Sequence, residues 1–543
     1  MTEGGDCRLP IADCRTNQSA IGNRQSAFIH VVIVAVAFVA MIAWTWFRWP
    51  DPLVDFGREL YVPWQVSQGK RLYRDVAHFS GPLSVYFNAL MFRALGVSLR
   101  TIVVVNIAIA AAVVAMIWAL ARHASRSRFA ATVVVLLFVT LFMSIQLVDI
   151  GNYNWITPYA HELTHGIALG LAAMLVLASH LGHPRPWRAA LVGALLGLIL
   201  LTKVEVILAA APAVTIGIWM PRRRYLVQFV VATIVAPAIA IVALGSDAVF
   251  GPWKYALNPR LAALPFYRWS TGTDAPAHNV VQAVVVPIKL LVSTDLTLWQ
   301  GAFRGLLFTT LAIAILCAIR ATRRVQPRAV LRLSLSLFAL LLLAKIALNV
   351  RVNHYGFALA MPAMLVTAGA LSSMRRRWIR IATTLALIVT VVVHLYVYAT
   401  RFREKPVVVA SDRPDAFRAD ARGALVNELV RTIDSVPADA TLAVFPQGAM
   451  INYLAGRANP TPFVTLMPPE VIMFGDERIT AAYEQSPPDV IVVIDTDLSE
   501  YGFKSFDEVA PKLAGWMREK YETVRSVPAL APELPGAHVL RRR

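Results

Sequence analysis

The sequence predicts a polytopic α-helical membrane protein with about 11 transmembrane helices and a C-terminal soluble α/β domain. Three observations carry that expectation. Of 543 residues, 57% are hydrophobic and only 16% are charged, against roughly 45–50% apolar in an ordinary soluble chain. Long apolar runs recur through the first 400 residues, and mean hydropathy is +0.57. Charge divides sharply near residue 400: residues 1–400 hold 35 Lys and Arg against 13 Asp and Glu, whereas residues 401–543 hold 17 against 20. This composition excludes a soluble enzyme, a disordered chain and a coiled coil. The net charge of +19 reflects an excess of Arg between apolar segments, which makes it a topology signal and argues against nucleic acid as a partner.

The first apolar run, Ala27–Phe47, exceeds a signal-peptide core and has no small-residue cleavage site after it. It reads as an uncleaved anchor, with 1–26 as a cytoplasmic tail carrying Arg8, Arg15 and Arg24. Further spans are expected near 100–121, 129–148, 158–181, 188–202, 204–220, 225–246, 300–320, 329–349, 355–372 and 378–399. The 188–220 run suits two short helices or one kinked helix. Residues 281–299 are long enough for a twelfth span, but Lys289 and Asp295 favour a surface or re-entrant segment. With the N-terminus inside, the inner loops carry Arg122/Arg126/Arg128, Arg185/Arg188, Arg222/Arg223/Arg224, Arg320/Arg323/Arg324/Arg328 and Arg375/Arg376/Arg377, and no acid. Three of the 13 acids lie in the tail. The other ten are Asp51, Asp55, Glu59, Asp75, Asp149, Glu162, Glu205, Asp247, Asp274 and Asp295, all on expected outer loops or outer helix ends. The positive-inside rule concerns Lys and Arg, so it does not produce this second asymmetry. Carboxylates at a membrane edge are costly and usually functional. They point to a polar site at the outer face of the plasma (inner) membrane, the face that also receives residues 401–543.

Residues 49–99 form one long outer segment. Asp55 and Glu59 lie four apart, sharing a face if helical, with Arg58 alongside. Leu83–Leu95 is apolar and aromatic but short for a span, and suits a helix lying in the interface. The stretches Asp55-Phe-Gly-Arg-Glu-Leu-Tyr61, Gly69-Lys70, Leu72-Tyr-Arg-Asp75 and Gly81-Pro-Leu83 resemble the first outer loop of polyprenyl-phosphate-dependent GT-C glycosyltransferases, of the glycosyltransferase family 39-like and lipid A aminoarabinose transferase-like kind. Asp149-Ile-Gly-Asn-Tyr-Asn-Trp-Ile-Thr-Pro-Tyr159, Thr202-Lys-Val-Glu205 and Arg351-Val-Asn-His-Tyr-Gly356 resemble later motifs of that family, and the resemblance covers most of residues 27–400.

The resemblance implies a GT-C-like membrane domain over 27–400. It implies transfer of a sugar from a polyprenyl-phosphate donor to an extracytoplasmic glycan, lipid or protein acceptor, in cell-envelope glycan biosynthesis. Asp55 matches the family's catalytic base. Phe56 replaces the usual acidic neighbour, leaving Glu59 as the second carboxylate. Lys203, Arg351, His354 and Tyr355 match the donor-phosphate side. Arg58, Asp75, Asp149, Asn152, Tyr153, Tyr159, His161, Glu162 and Glu205 are expected to meet substrate. The chemistry suits these residue types. The donor phosphate is already a good leaving group, so the reaction requires a base for the acceptor hydroxyl and cations for the phosphate, with inversion at the anomeric carbon. A divalent cation, Mg or Mn, is left open near Asp55, Glu59 and Asp149. No protein-bound metal site is assigned.

Two alternatives stand beside this reading. His161-Glu-Leu-Thr-His165 is the His-Glu-x-x-His pattern that places two imidazoles on one helix face for zinc, which would make an intramembrane metalloprotease. A non-catalytic lipid-sugar transporter is the other, but it predicts internal repeats and polar residues near the midplane. The C-terminal segment shows an amphipathic helix pattern over Asp415–Ile433, short buried strands at Thr441–Phe445 and Val490–Ile494, a helix opened by Gly448, and a helix pattern over Phe506–Tyr521. Alternation of this kind suggests a small α/β domain over 401–543. With no cysteine there, it folds on its core alone.

Overall fold

The computed structural model describes residues 11–221, 223–271, 273, 305–347 and 349–543. The 281–299 segment, Asp274, Asp295, Arg222 and the first ten residues lie outside them.

Each expected apolar run within the described residues is helical. Helices α1 (Ile11–Thr45), α2 (Phe56–Ser67), α3 (Leu83–Leu95), α4 (Leu99–Ser125), α5 (Arg128–Phe138), α6 (His161–Gly182), α7 (Pro186–Leu200), α8 (Val204–Trp219) and α9 (Leu226–Leu244) come first. Helices Leu306–Arg323, Pro327–Leu343 and Arg377–Arg403 follow, with a pair, Val352–Leu359 and Met361–Ser372, bent by 70° before the last. Among the described residues, seven helices are long and apolar enough to cross a membrane, or eight with the bent pair as one span. Four apolar helices are shorter: α3, Arg128–Met143, α7 and α8. The 188–220 run is therefore two helices, interrupted at Leu201–Lys203. Local chemistry sets several boundaries. The Ser98 hydroxyl accepts from the Thr101 amide at 3.0 Å and caps α4. Pro186 and Pro327 occupy first helical positions, where a missing N–H costs nothing. Helix α6 and Pro327–Leu343 are the most enclosed, whereas Phe28–Thr45 of α1, α9 and Arg377–Arg403 expose apolar side chains all along their length, as lipid-facing helices do.

Among the described residues, six strands are formed, all after Lys405. Strands β1 (Val407–Val409) and β2 (Phe417–Ala419) form an antiparallel pair. The second sheet has the order β3-β4-β6-β5, with β3 (Leu442–Phe445), β4 (Val490–Ile494), β5 (Tyr521–Val527) and β6 (Ala537–Arg542). As the two buried runs suggest, β3 and β4 are parallel. The β4/β6 and β5/β6 pairs are antiparallel. Alternation splits the faces of this sheet. Ala443, Phe445 and Ile491 pack with Phe463, Tyr483 and Leu513. Leu442, Val444, Val490 and Val492 join the apolar cluster that continues from the membrane helices. Two helix expectations need correction. The 415–433 pattern is helical only over Arg422–Asp434. Before it, Phe417–Ala419 is drawn into β2, and the Asp415 carboxylate accepts from the Leu99 amide at 2.9 Å and the Tyr453 hydroxyl at 2.7 Å. The 506–521 pattern divides into Phe506–Val509 and Pro511–Lys520, because Pro511 restricts the residue before it.

Close backbone approaches seat the segment after α1. A Cβ on Gly81 would stand 2.1 Å from the Leu201 carbonyl oxygen, and one on Gly57 would stand 2.1 Å from the Met450 amide nitrogen. Gly81 and Leu83 donate to the Thr202 and Leu201 carbonyls at 3.0 and 3.1 Å. The loop is thus pinned into the break between α7 and α8, and α2 rests on helix Ala449–Ala455. Asp51, with no solvent exposure, ties three segments together. Its carboxylate accepts from the amides of Leu53 (3.0 Å), Val54 (2.8 Å) and Gly151 (3.1 Å), and from both terminal nitrogens of Arg422 at 3.3 and 2.8 Å. Burial pushes its pKa up, but Arg422 and the three amides outweigh burial and hold it below the usual range. Arg422→Met leaves that charge buried without its cation, and a loss of about 3–5 kcal/mol is expected. Thermal unfolding of the purified chain should show a lowered midpoint, partly restored in Asp51→Asn/Arg422→Met.

Candidate active site

The Asp51 clamp places Asp55. Asn152 Nδ2 donates to the Val54 carbonyl at 3.1 Å, and the Arg58 amide donates to the Asp55 carbonyl at 2.9 Å. Held on both sides, Asp55 takes φ 54°, ψ −54° at the N-terminal boundary of α2, and its side chain makes no capping hydrogen bond. A non-glycine residue there carries backbone strain of about 1–3 kcal/mol. The carboxylate is therefore not explained as a helix cap. It remains one-third exposed.

Arg58 gathers the acids. Its guanidinium lies 3.7 Å from Asp55, 3.6 Å from Glu59 and 3.5 Å from Glu470, and donates to the Tyr159 carbonyl at 3.2 Å. One cation thus serves three carboxylates. Burial raises the Asp55 pKa above the usual range, with Arg58 opposing and Glu59 and Asp51 reinforcing. Burial pushes Glu470 up to about 7, with only partial relief from Arg58. The Oε2 atom of Glu470 is buried without a hydrogen-bond partner among the described residues. A cavity of about 20 Å³, room for one water, is lined by Arg58, Glu59, His78, Glu162 and Glu470 among others.

Glu59 is committed to α6. Its Oε2 accepts from the His161 amide at 2.9 Å and lies 2.7 Å from His161 Nδ1. Asn106 Nδ2 lies 3.0 Å from His161 Nε2. An amide nitrogen only donates, so Nε2 accepts and Nδ1–H donates to Glu59. Both ring nitrogens of His161 are therefore occupied. Glu162 pairs with His78 at 3.2 Å, and His165 Nδ1 lies 3.1 Å from Ser84 Oγ. The His-Glu-x-x-His pattern does fall on one helix, with the two imidazoles 5.4 Å apart. However, no group of three or more His, Cys, Asp or Glu among the described residues is arranged to hold a metal ion. Asp55, Glu59 and Asp149 do not fit a divalent cation either. Glu59 is held by His161, and Asp149 is exposed and pairs with Arg401 at 2.5 Å.

Tyrosines connect the acids to a cationic side. Lys203 Nζ lies 4.8 Å over the Tyr159 ring, and Lys345 Nζ lies 4.7 Å over Tyr355. Lys345 also pairs with Glu205 at 2.9 Å. The Tyr159 and Tyr355 rings are 5.4 Å apart, and His354 lies 4.8 Å from Tyr153 and 4.1 Å from Tyr355. The Arg351 guanidinium lies 4.7 Å over Trp269, whose ring is 5.4 Å from His354. The π-turn Val352–Gly356 and the break at Leu201–Lys203 bring these groups out of their helices. Asp55, Arg58, Glu59, Tyr153, Tyr159, His161, Glu162, Lys203, Glu205, Arg351, His354 and Tyr355 thus form one continuous cluster. Asn152 supports it from the loop. Asp75 lies outside, engaged with Arg74 at 2.8 Å and the Arg71 amide at 2.8 Å, as does Asp149.

The sequence reading missed Glu470, His78 and Lys345. Lys345 had a signal, a cation inside an expected span. Glu470 and His78 had none.

No protein-family model and no curated protein matches the chain. Among solved structures, it is similar to the archaeal oligosaccharyltransferase AglB from Archaeoglobus fulgidus, in complex with an inhibitory peptide and a dolichol-phosphate. That match has a TM-score of 0.51 at 11% identity and covers 94% of this chain and 74% of that one. This is a GT-C fold. ArnT from Cupriavidus metallidurans, bound to undecaprenyl phosphate, aligns over 93% of this chain and 97% of its own at 13% identity and a TM-score of 0.49.

The Glu470 environment makes a stability prediction within this GT-C fold. The folded chain keeps the Glu470 proton to about pH 7, whereas an ordinary glutamate loses it near 4.5. Between those values the native state binds more protons, so stability falls as pH rises. Glu470→Gln stays neutral throughout. Above pH 7 it should gain about 3 kcal/mol over wild type, an advantage that vanishes below pH 4. Thermal midpoints measured across that range test it.

Proposed function

We infer that the chain is an integral membrane glycosyltransferase. It moves one sugar from a polyprenyl-phosphate donor to a hydroxyl of an extracytoplasmic glycan, lipid or protein acceptor. The observation that carries this reading is Asp55: strained, uncapped, partly open, and sharing one guanidinium with two further carboxylates beside a Lys203–Lys345–Arg351 face. The likeness to an oligosaccharyltransferase captured with a dolichol-phosphate supports the same reading. The basic loops at one end and the carboxylates at the other favour a cytoplasmic N-terminus in the plasma (inner) membrane. Residues 27–400 then form the membrane domain and 401–543 an extracytoplasmic α/β domain that contributes Glu470.

Asp55 takes the proton of the acceptor hydroxyl as its oxygen attacks the anomeric carbon. The bond from that carbon to the phosphate oxygen breaks on the opposite face, so the configuration inverts and polyprenyl phosphate leaves. Lys203, Arg351 and His354, with Lys345 behind them, stand where negative charge grows on the departing phosphate. Arg58 opposes the effect of burial on Asp55 and favours its ionised form, and Glu470 and Glu59 keep Arg58 in place.

Purified full-length protein given a panel of polyprenyl-phosphate sugars should release polyprenyl phosphate from at least one donor in the presence of acceptor. Asp55→Asn should lower turnover by about 10²–10⁴. A base acts deprotonated, and burial raises the Asp55 pKa. The acid limb of kcat/KM should therefore lie above the ordinary aspartate value of about 4 and disappear with Asp55→Asn. Turnover by Asp55→Asn at the wild-type rate refutes the assignment.

A further inference from the structure

A second cavity, of about 520 Å³, lies among α4, α5, α6, Leu306–Arg323, Pro327–Leu343 and Met361–Ser372. It is far from Asp55. Asn106 of α4 touches His161, whereas Ser125 of α4 lines this cavity. Their separation of nineteen positions along the helix spans about 28 Å. Its size falls within the ~300–1,000 Å³ of small-molecule sites. The deep walls are apolar, with Leu120, Val134, Leu335, Phe338 and Leu365. Arg320, Arg332 and Arg375 line it at the arginine-rich end, and no Asp or Glu lines it anywhere. Among the described residues none of these three arginines pairs with a carboxylate, although Arg332 Nε donates to the Ala124 carbonyl at 2.8 Å. Leu316 and Met374, also lining residues, are 52% and 41% exposed, so the cavity is bounded by surface that lipid covers in a membrane.

An apolar chamber ending in three guanidinium groups complements one kind of molecule. The chamber removes a hydrocarbon chain from bulk lipid without cost, and guanidinium forks match phosphate oxygens bidentately. We propose that this cavity binds a lipid chain ending in a phosphate. The chain lies against Phe338, Leu335 and Leu365, and the phosphate meets Arg320, Arg332 and Arg375. The site is separate from the transfer chemistry and stands whether or not that chemistry is correct. Such a ligand has two sources, a bilayer phospholipid or a polyprenyl phosphate.

Native mass spectrometry of the full chain in neutral detergent decides it, with phosphatidic acid, polyprenyl phosphate, phosphatidylcholine or inorganic phosphate titrated in. A saturable adduct that the cavity variants weaken is expected with a phosphate-ended lipid, distinct from polyprenyl phosphate held at the Asp55 site, which those variants leave unchanged, and about tenfold weaker binding with phosphatidylcholine or inorganic phosphate. The arm with the stronger cavity-dependent adduct names the source. Arg320→Gln/Arg375→Gln and the cavity-filling Ala370→Trp should each weaken the adduct by about tenfold. Arg126→Gln, at the same end but outside the lining, should leave it unchanged. Thermal midpoints confirm that the variants are folded. Equal binding of phosphatidylcholine, no saturable adduct, or an adduct undiminished in both cavity variants overturns the proposal.

Discussion

The carboxylate end of the bundle depends on Asp51. Taking a carboxylate fully out of water costs several kcal/mol even after relaxation, and Asp51 is completely buried. Three amides and a two-pronged arginine offset that cost, and they come from three distant parts of the chain. The net contribution to stability of such an arrangement is modest. Its consequence is positional. The amides of Leu53 and Val54 fix the turn that forces Asp55 to positive φ. The Gly151 amide fixes the loop that delivers Tyr153 and Tyr159. Arg422 locks the strand-bearing region over both, which is how Glu470 comes to lie 3.5 Å from Arg58. Without the clamp these three segments would have no common reference point.

The charges in the cluster follow from that placement. Three carboxylates share Arg58, so the region around Asp55 carries more negative than positive charge. Lys203 and Lys345 lie beyond the Tyr159 and Tyr355 rings, each held by cation–π contact. Aromatic faces separate the two signs where direct ion pairs would neutralise them. The exception, Lys345 with Glu205, holds one lysine in position and leaves Lys203 over its ring. On the proposed reading these fixed charges face opposite ends of the reacting bond, and charges placed in advance need no reorganisation during reaction, which is the main electrostatic means of lowering a barrier.

The architecture was legible where a periodic or continuous apolar signal exceeds a helix or strand in length. All eleven expected spans have a helical counterpart, and the two buried strand runs pair in parallel. Legibility failed at Asp415–Ala421, where Phe417 pairs with Val409 across β1 and Asp415 caps a distant helix; such partners are set by tertiary structure. The cluster was largely legible because its members sit at helix breaks, marked by Thr202-Lys203 and the Arg351–Gly356 stretch. Asp75 and Asp149 looked equivalent to Asp55 as outer acids. Neighbouring arginines, Arg74 and Arg401, hold them elsewhere. Glu470 follows Pro468-Pro469 in an otherwise ordinary stretch, and nothing local distinguishes it; the docking of α2 onto helix Ala449–Ala455, together with the Arg422 contact, brings it to Arg58.

The two ends of the bundle are chemical opposites joined by the same helices. One end of α4 places Asn106 against His161, among carboxylates, and the other ends at Ser125 beside arginines with no acid in the surrounding loops. A sequence shaped only by the positive-inside rule would concentrate Lys and Arg at one end and scatter its acids. Here the described acids of the membrane region gather at the other end, and most of them are spent on named tasks. Asp51 positions loops, Glu59 and Glu162 fix His161 and His78, and Glu205 holds Lys345. Asp55 is the member of this group whose backbone is strained and whose carboxylate has no local hydrogen-bonding duty. That contrast within one set of carboxylates at the same end of the bundle, more than the raised pKa alone, separates the reactive candidate from its supports.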